Sequence, residues 1–334
     1  MKSRKIRVSI GSASVLGLEN HRNFKISPTT CYLMTYIEGR CSANCGFCPQ
    51  SRSSDSSTEK LSRISWPEYT IEEVVEKIIN IPPEQQFKRA CVQTLNYLDN
   101  FNDLVEIVLK LKKGFANPIS VAVPPLEKAQ LQQLKSIGVD RVGIALDGST
   151  SDIFNKIKGK KVNGPYIWEE HLKALEIASE VFPKGNVSTH IIVGLGEKHE
   201  EILNFIEELH GKGILISLFA FTPIKGTKFE SLESPNLIDY RKIQLGRYLI
   251  VSGLKTIKDF IFREDGSLIM INMSDNDLRR IIADGEAFMT SGCPGCNRPY
   301  YTSKPSGPTY NYPRILNNEE KDEIYDILRS LVKD

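Results

Sequence analysis

Between residues 31 and 221 the chain alternates short apolar runs with longer segments whose apolar positions recur every three or four residues. The runs at 31–37, 89–95, 119–123, 141–147, 187–195 and 214–221 predict strands, rich in Val, Ile, Leu and aromatic residues. Between them, 71–80, 102–114, 126–138, 168–182 and 199–213 carry helical spacing, with Gly114 and Gly138 as stops. Strands this uniformly apolar are buried on both faces, as in a parallel sheet covered by helices. Right-handed crossovers curl such a sheet into a partial (β/α)6 barrel or a full (β/α)8-like TIM barrel, an α/β fold. Loops after the carboxyl ends of the strands then form the active face.

Beyond residue 222 the pattern is less regular. Helices are predicted at 234–253 and at 274–289, the second capped by Ser274, with a strand or hairpin at 259–272 between them. A Pro-, Gly- and Tyr-rich tail and a terminal charged helix at 317–333 follow. The expected organisation is an N-terminal extension (1–30), a barrel (31–272) and a C-terminal segment with a possible auxiliary centre (273–334).

Composition is that of a globular protein of 334 residues, 40% hydrophobic and 25% charged. A formal net charge of +2 gives no general attraction to nucleic acid or to a membrane surface. The basic N-terminus lacks a continuous apolar core, and no run approaches the ~18 apolar residues of a membrane span. A cytoplasmic enzyme without nucleic-acid or membrane partners is the expectation.

The seven cysteines change the picture. In a reducing compartment clustered cysteines are metal or redox ligands rather than disulfides. Cys41, Cys45 and Cys48 fall within "EGRCSANCGFCPQSRSS", immediately after the first predicted strand. Structural zinc takes four ligands, and no histidine follows to supply a fourth. Three thiolates on a cubane [4Fe–4S] cluster leave one iron open to chelate a small molecule. Cys293 and Cys296 form a C-x-x-C pair, which alone fits a zinc knuckle, a reducible pair or part of a cluster site. Cys31 and Cys91 stand apart.

Cys41, Cys45, Phe47 and Cys48 match the C-x3-C-x-Φ-C motif, and the chain resembles the radical S-adenosylmethionine superfamily. The resemblance implies that the open iron binds the amino and carboxylate groups of S-adenosylmethionine. One-electron reduction by a ferredoxin-like donor then yields methionine and a hydrogen-abstracting 5′-deoxyadenosyl radical. It also implies adenine contacts from "IVGLGE", with Ile192, Gly194 and Gly196, although paired glycines occur in ordinary turns. Gln93 and Thr94 would lie near the methionine amino group. Asp147 would face the ribose, or else cap the following helix.

Over roughly residues 30 to 230 the chain is similar to the biotin-synthase-like branch, through "CGFCPQS", "RACVQ", "LEKAQLQQLKSIGVDRVGIALDGS", "HIIVGLGE" and "FTPIKGT". Of the three cysteines that hold the sulfur-donating [2Fe–2S] cluster there, only Cys91 is present. Ser120 and Ser188 take the other two positions, and hydroxyls are poor substitutes for thiolates. The "CPGCNRPYY" and "PSGPTYNYPR" stretches instead resemble a subunit of the two-component lipoyl synthase found mainly in archaea. That resemblance implies a paralogous radical subunit and an octanoylated lipoyl carrier protein as partners. It also implies an auxiliary [4Fe–4S] cluster on Cys293 and Cys296, with Cys91 or Cys31 and a tail residue such as Ser306 as further ligands. Another biotin-synthase-like enzyme acting on a small molecule, or a non-catalytic iron–sulfur subunit, is the alternative. Tyr300, Tyr301, Tyr310 and Tyr312 are read as packing residues, and His171, His190, His199 and His210 as packed or solvated.

Overall fold

A computed structural model of the chain describes residues 4–19, 25–301 and 307–332. The elements run β1 (Lys5–Val8), α1 (Ile10–Val15), β2 (Thr30–Thr35), β3 (Lys60–Leu61), β4 (Ile64–Ser65), β5 (Glu68–Thr70) and α2 (Ile71–Asn80). Next come β6 (Arg89–Gln93), α3 (Asn100–Leu111), β7 (Ile119–Val123), α4 (Lys128–Ser136), β8 (Val139–Ile144), α5 (Ser151–Ile157) and α6 (Trp168–Val181). The remainder is β9 (Val187–Val193), α7 (His199–Gly211), β10 (Leu215–Ala220), α8 (Leu237–Val251), β11 (Phe260–Phe262), β12 (Leu268–Ile271), α9 (Asp275–Asp284) and α10 (Asn318–Leu328).

All six expected strands form, and they lie side by side in parallel as β2-β6-β7-β8-β9-β10. Two further strands extend the sheet beyond β2. The segment set apart as an N-terminal extension supplies β1, antiparallel to both β2 and β5. Strand β10 at one edge and β5 at the other do not pair, so among the described residues the barrel is partial and the eight-fold alternative does not form. After β10 the chain builds α8 and a separate β11–β12 hairpin instead of further parallel strands.

Local chemistry accounts for most element ends. Thr70 and Glu73 form a capping box at α2, and Ser274 caps α9 by accepting from the Asp277 N–H. Helix α9 ends at Asp284 rather than 289, because Gly285 adopts φ +81° and turns the chain into a short 3-10 segment. Helix α5, unforeseen in the sequence, is only seven residues long. Among the described residues no helix is long and apolar enough to cross a membrane.

Strand parity separates two compartments. Cys31 and Leu33 of β2 face the helices and belong to the main core, whereas Tyr32 and Met34 face inward. The inward positions on and just after the other strands include Ser120, Ala122, Gly143, Ala145, Ser188 and Ser217, all small. A closed TIM barrel fills its interior with large branched side chains. Here the small residues leave an internal cavity of about 350 Å³.

Candidate active site

The loop from Cys41 to Cys48 closes the carboxyl end of the partial barrel, where parallel strands present functional groups. Both of its neighbours hold it. Ser42 N–H donates to Asn96 O at 2.7 Å and Asn96 N–H donates to Cys41 Sγ at 3.1 Å, which ties it to the end of β6. Gly46 N–H donates to Ile157 O at 2.8 Å, which ties it to α5. A Cβ at Gly46 would lie 2.7 Å from the Phe229 ring, so any larger residue there would have to displace that ring.

Cys41, Cys45 and Cys48 all line the cavity. Burial pushes each thiol up, that of Cys48 to about 12, while the Lys158 ammonium pulls Cys41 and Cys45 back down. Protonated thiols of this kind become thiolates on metal binding, which releases their protons. Among the described residues no group of three or more His, Cys, Asp or Glu side chains is placed to hold a single metal ion. Three thiols on one cavity wall supply the donor chemistry of iron–sulfur ligation.

Phe47 also lines the cavity and packs with Ile192, Phe221 and Phe229. Gly194 and Gly196 have φ of +106° and +105°, which side chains disfavour. Both oxygens of Glu197 accept from this turn, from Gly194 N–H and from Leu195 N–H at 2.9 Å. Ile192 faces the cavity, and the two glycines lie just beyond it in the turn after β9. Gln93 donates to the Tyr301 hydroxyl at 3.2 Å, and Thr94 donates to Ala122 O at 2.9 Å, both at the cavity wall.

Asp147 does not cap a helix, since Thr150 caps α5. It sits at φ +64° and is almost fully buried. Lys158 Nζ donates to one carboxylate oxygen at 2.7 Å, and His190 Nε2 reaches the other at 2.7 Å. Burial alone would raise its pKa, but the Lys158 and His190 charges win and hold the carboxyl well below the usual range. Lys158 also donates to Ala145 O at 2.8 Å and lies 4.9 Å over the Tyr166 ring. Sequence reasoning missed Lys158 and placed His190 among the packed or solvated histidines. His190 instead lines the cavity against Phe219, with ring centroids 4.9 Å apart. The period of β9 puts it on the inner face with Ser188, which is the signal that was available.

A second group of thiols enters the cavity from the opposite end. The turn around Cys293 and Cys296 packs on the amino ends of the strands. Thr29, which precedes β2, donates its N–H to Asn297 Oδ1 at 2.9 Å, and Leu218 N–H in β10 donates to Ser291 Oγ at 2.9 Å. Cys293 Sγ lies 3.7 Å from Ser120 Oγ, and Cys91 is paired in register with Ser120 on β7. Cys91, Cys293 and Cys296 all line the cavity that the first trio closes from the other end. Burial raises the Cys91 thiol, and the charges of Cys293 and Cys296 raise it further. Cys31 faces the helix side of the sheet and is not brought to this group. Ser306 lies outside the described residues. Tyr310 and Tyr312 pack in the main core, and Tyr300 accepts from Ile26 N–H at 3.3 Å, whereas Tyr301 reaches the cavity.

Comparison with known proteins bears on the family and the fold. The chain is 26% identical over 215 residues to the biotin synthase of Methanococcus aeolicus, covering 62% of this chain and 60% of that one. It is likewise 26% identical over 228 residues to the mitochondrial biotin synthase of Arabidopsis thaliana, covering 64% and 55%. The chain thus spans less than two thirds of the length of these relatives. Among solved structures, methylornithine synthase (PylB) superposes with a TM-score of 0.53 at 16% identity, over 67% of this chain and 62% of that one. The FeFe-hydrogenase maturase HydG from Carboxydothermus hydrogenoformans gives 0.52 at 16% identity, over 90% and 66%. These structural likenesses establish the shared fold. The sequence pattern of the Radical SAM superfamily runs from residue 36 to residue 209, from just before the three-thiol loop to the end of α7. That span is just over half of the chain, and the chain belongs to the Radical SAM superfamily.

Proposed function

We propose that this protein inserts sulfur into the octanoyl chain of a lipoyl carrier protein, as one subunit of a two-component lipoyl synthase. The similarity to biotin synthases supports a radical reaction of this type. The observation that carries the reading is the second thiol group, Cys91, Cys293 and Cys296, set at the far end of the cavity closed by Cys41, Cys45 and Cys48. A sulfur-inserting barrel needs a sulfur source beside the carbon that reacts, and this is where one would be held.

Cys41, Cys45 and Cys48 would hold a [4Fe–4S] cluster, which with S-adenosylmethionine supplies one-electron cleavage to a hydrogen-abstracting radical. The turn at Gly194 and Gly196, fixed by Glu197, would meet the adenine, with Ile192 and Phe47 beside it. Asp147 would face the ribose, oriented by Lys158 and His190, and Gln93 and Thr94 would lie near the methionine amino group. Cys91, Cys293 and Cys296 would hold the auxiliary cluster. Between the two ends, Met34, Leu95 and Phe219 line the wall. These side chains suit an alkyl chain and exclude water from the radical. A ferredoxin-like reductant and a paralogous radical subunit complete the system.

The test is isotopic. Protein reconstituted with labelled sulfide is given S-adenosylmethionine, reductant, the paralogous subunit and octanoylated carrier protein. The expected product is a carrier whose acyl group has gained labelled sulfur, seen by mass spectrometry. Unaltered octanoyl alongside intact cleavage of S-adenosylmethionine would overturn the substrate assignment and favour a small-molecule substrate.

A further inference from the structure

The Tyr32 phenol lies at the back of the second thiol group. Tyr32 is 4% exposed and points inward from β2. Its oxygen is 3.2 Å from Cys296 Sγ and accepts a hydrogen bond from Arg298 N–H at 3.0 Å. Several contacts hold both partners still. Tyr32 N–H donates to Ser12 Oγ at 2.9 Å, and its ring packs against Tyr301 with centroids 6.1 Å apart. The Arg298 guanidinium donates to Ser291 O and lies 4.0 Å over the Phe219 ring, so the turn carrying Cys296 and Arg298 is anchored on both sides.

A phenol has one proton to donate and lone pairs to accept with. One lone pair is taken by Arg298 N–H, which leaves the proton facing the sulfur. A cysteine that binds iron does so as a thiolate and has no S–H to donate. The direction of the bond is therefore fixed once the site is loaded: O–H of Tyr32 donates to Sγ of Cys296. Hydrogen bonds to cluster sulfurs stabilise the additional negative charge of the reduced state.

We propose that Tyr32 is a positioning residue for the auxiliary cluster, its phenol fixing the Cys296 sulfur and raising the reduction potential of the group bound there. This inference rests on the sulfur-donor reading above. It gives a direct structural use to the contact between the first barrel strand and the C-terminal turn, a contact spanning 264 positions of sequence.

The experiment compares wild type, Tyr32→Phe and Tyr301→Phe after anaerobic reconstitution, using redox titration followed by electron paramagnetic resonance. Tyr301 belongs to the same aromatic cluster, but its hydroxyl accepts from Gln93. Tyr32→Phe is expected to shift the midpoint of the auxiliary cluster to more negative potential, with the cluster on Cys41, Cys45 and Cys48 unmoved and Tyr301→Phe like wild type. A second measurement needs no variant. Pulsed resonance of the wild-type auxiliary cluster in deuterated water is expected to show an exchangeable deuteron coupled to the cluster. Two clusters with an unshifted midpoint in Tyr32→Phe, or no such coupling, would overturn this inference alone. A single cluster in wild type would overturn the sulfur-donor reading and this inference with it.

Discussion

Asp147 shows how much of the site depends on partners that sequence proximity does not reveal. Its two oxygens are held by Lys158, eleven residues on, and by His190, on the next strand. Its motif position was legible, but neither partner was, because Lys158 at the end of α5 and His190 on β9 meet it only in the fold. Parity was legible in principle: Cys31 and Tyr32 are adjacent, yet only Tyr32 faces the cavity. His171 supports a pH prediction. It is buried against the Phe154 and Tyr166 rings and makes a 3.0 Å hydrogen bond to Ile167 O. Burial, then the Lys158 charge, pushes its pKa down from 6.5 to about 3. The unfolded chain thus binds a proton in that interval that the folded chain excludes. The contribution of His171 is complete above pH 6.5 and is lost as pH falls toward 3. Thermal unfolding at pH 7 and pH 5 is expected to show a fall in Tm for wild type that is smaller in His171→Gln. Gly46 supports a second prediction. Gly46→Ala should destabilise the protein by about 1–3 kcal/mol through overpacking and lower iron at the first trio. Adding Phe229→Leu should recover part of both, read by denaturant unfolding and iron content.

The six parallel strands and their helices follow from apolar periodicity, since each strand is buried on both faces and each helix on one. Elements stabilised by context escaped: β1 is four residues long and gains its place by pairing with β2 and β5, while α5 has barely two turns. The turn after β9 was legible as a glycine pair, but its lock, Glu197, became meaningful only in three dimensions. Glu197→Gln leaves one of the two N–H donors poorly paired, at a cost of about 1–3 kcal/mol. If the turn contacts the adenine, binding of S-adenosylmethionine should weaken about ten-fold, by calorimetry, with iron content unchanged. The strap formed by residues 309–312 rests on Arg241, which is 1% exposed and donates to Thr309 O, to Tyr310 O at 2.6 Å and to Gln244 Oε1 at 2.5 Å. Arg241→Leu should destabilise the fold by about 2–4 kcal/mol, because buried carbonyls lose a charged donor. Urea unfolding measures this.

The open sheet leaves the interior reachable from both ends, and each end is closed by a cysteine-bearing segment. The loop after β2 closes one end, and the turn after α9 closes the other. Neither the open edge between β10 and β5 nor the return of the tail to the strand starts could be read from periodicity, because both depend on where the chain goes after its regular pattern stops. The three-thiol motif was legible from spacing alone. That Cys91 would join Cys293 and Cys296, and that Cys31 would not, required the register of β2, β6 and β7.

The central claim, two cluster sites facing one cavity, is tested most directly by iron and sulfide content with electron paramagnetic resonance after anaerobic reconstitution. Wild type is compared with Cys41/Cys45/Cys48→Ala and with Cys293/Cys296→Ala. Two cubanes predict about eight irons in wild type and about four in each variant, each variant losing a different signal. About four irons in wild type, lost only with the first trio, would contradict the account and reduce the C-terminal turn to a structural strap.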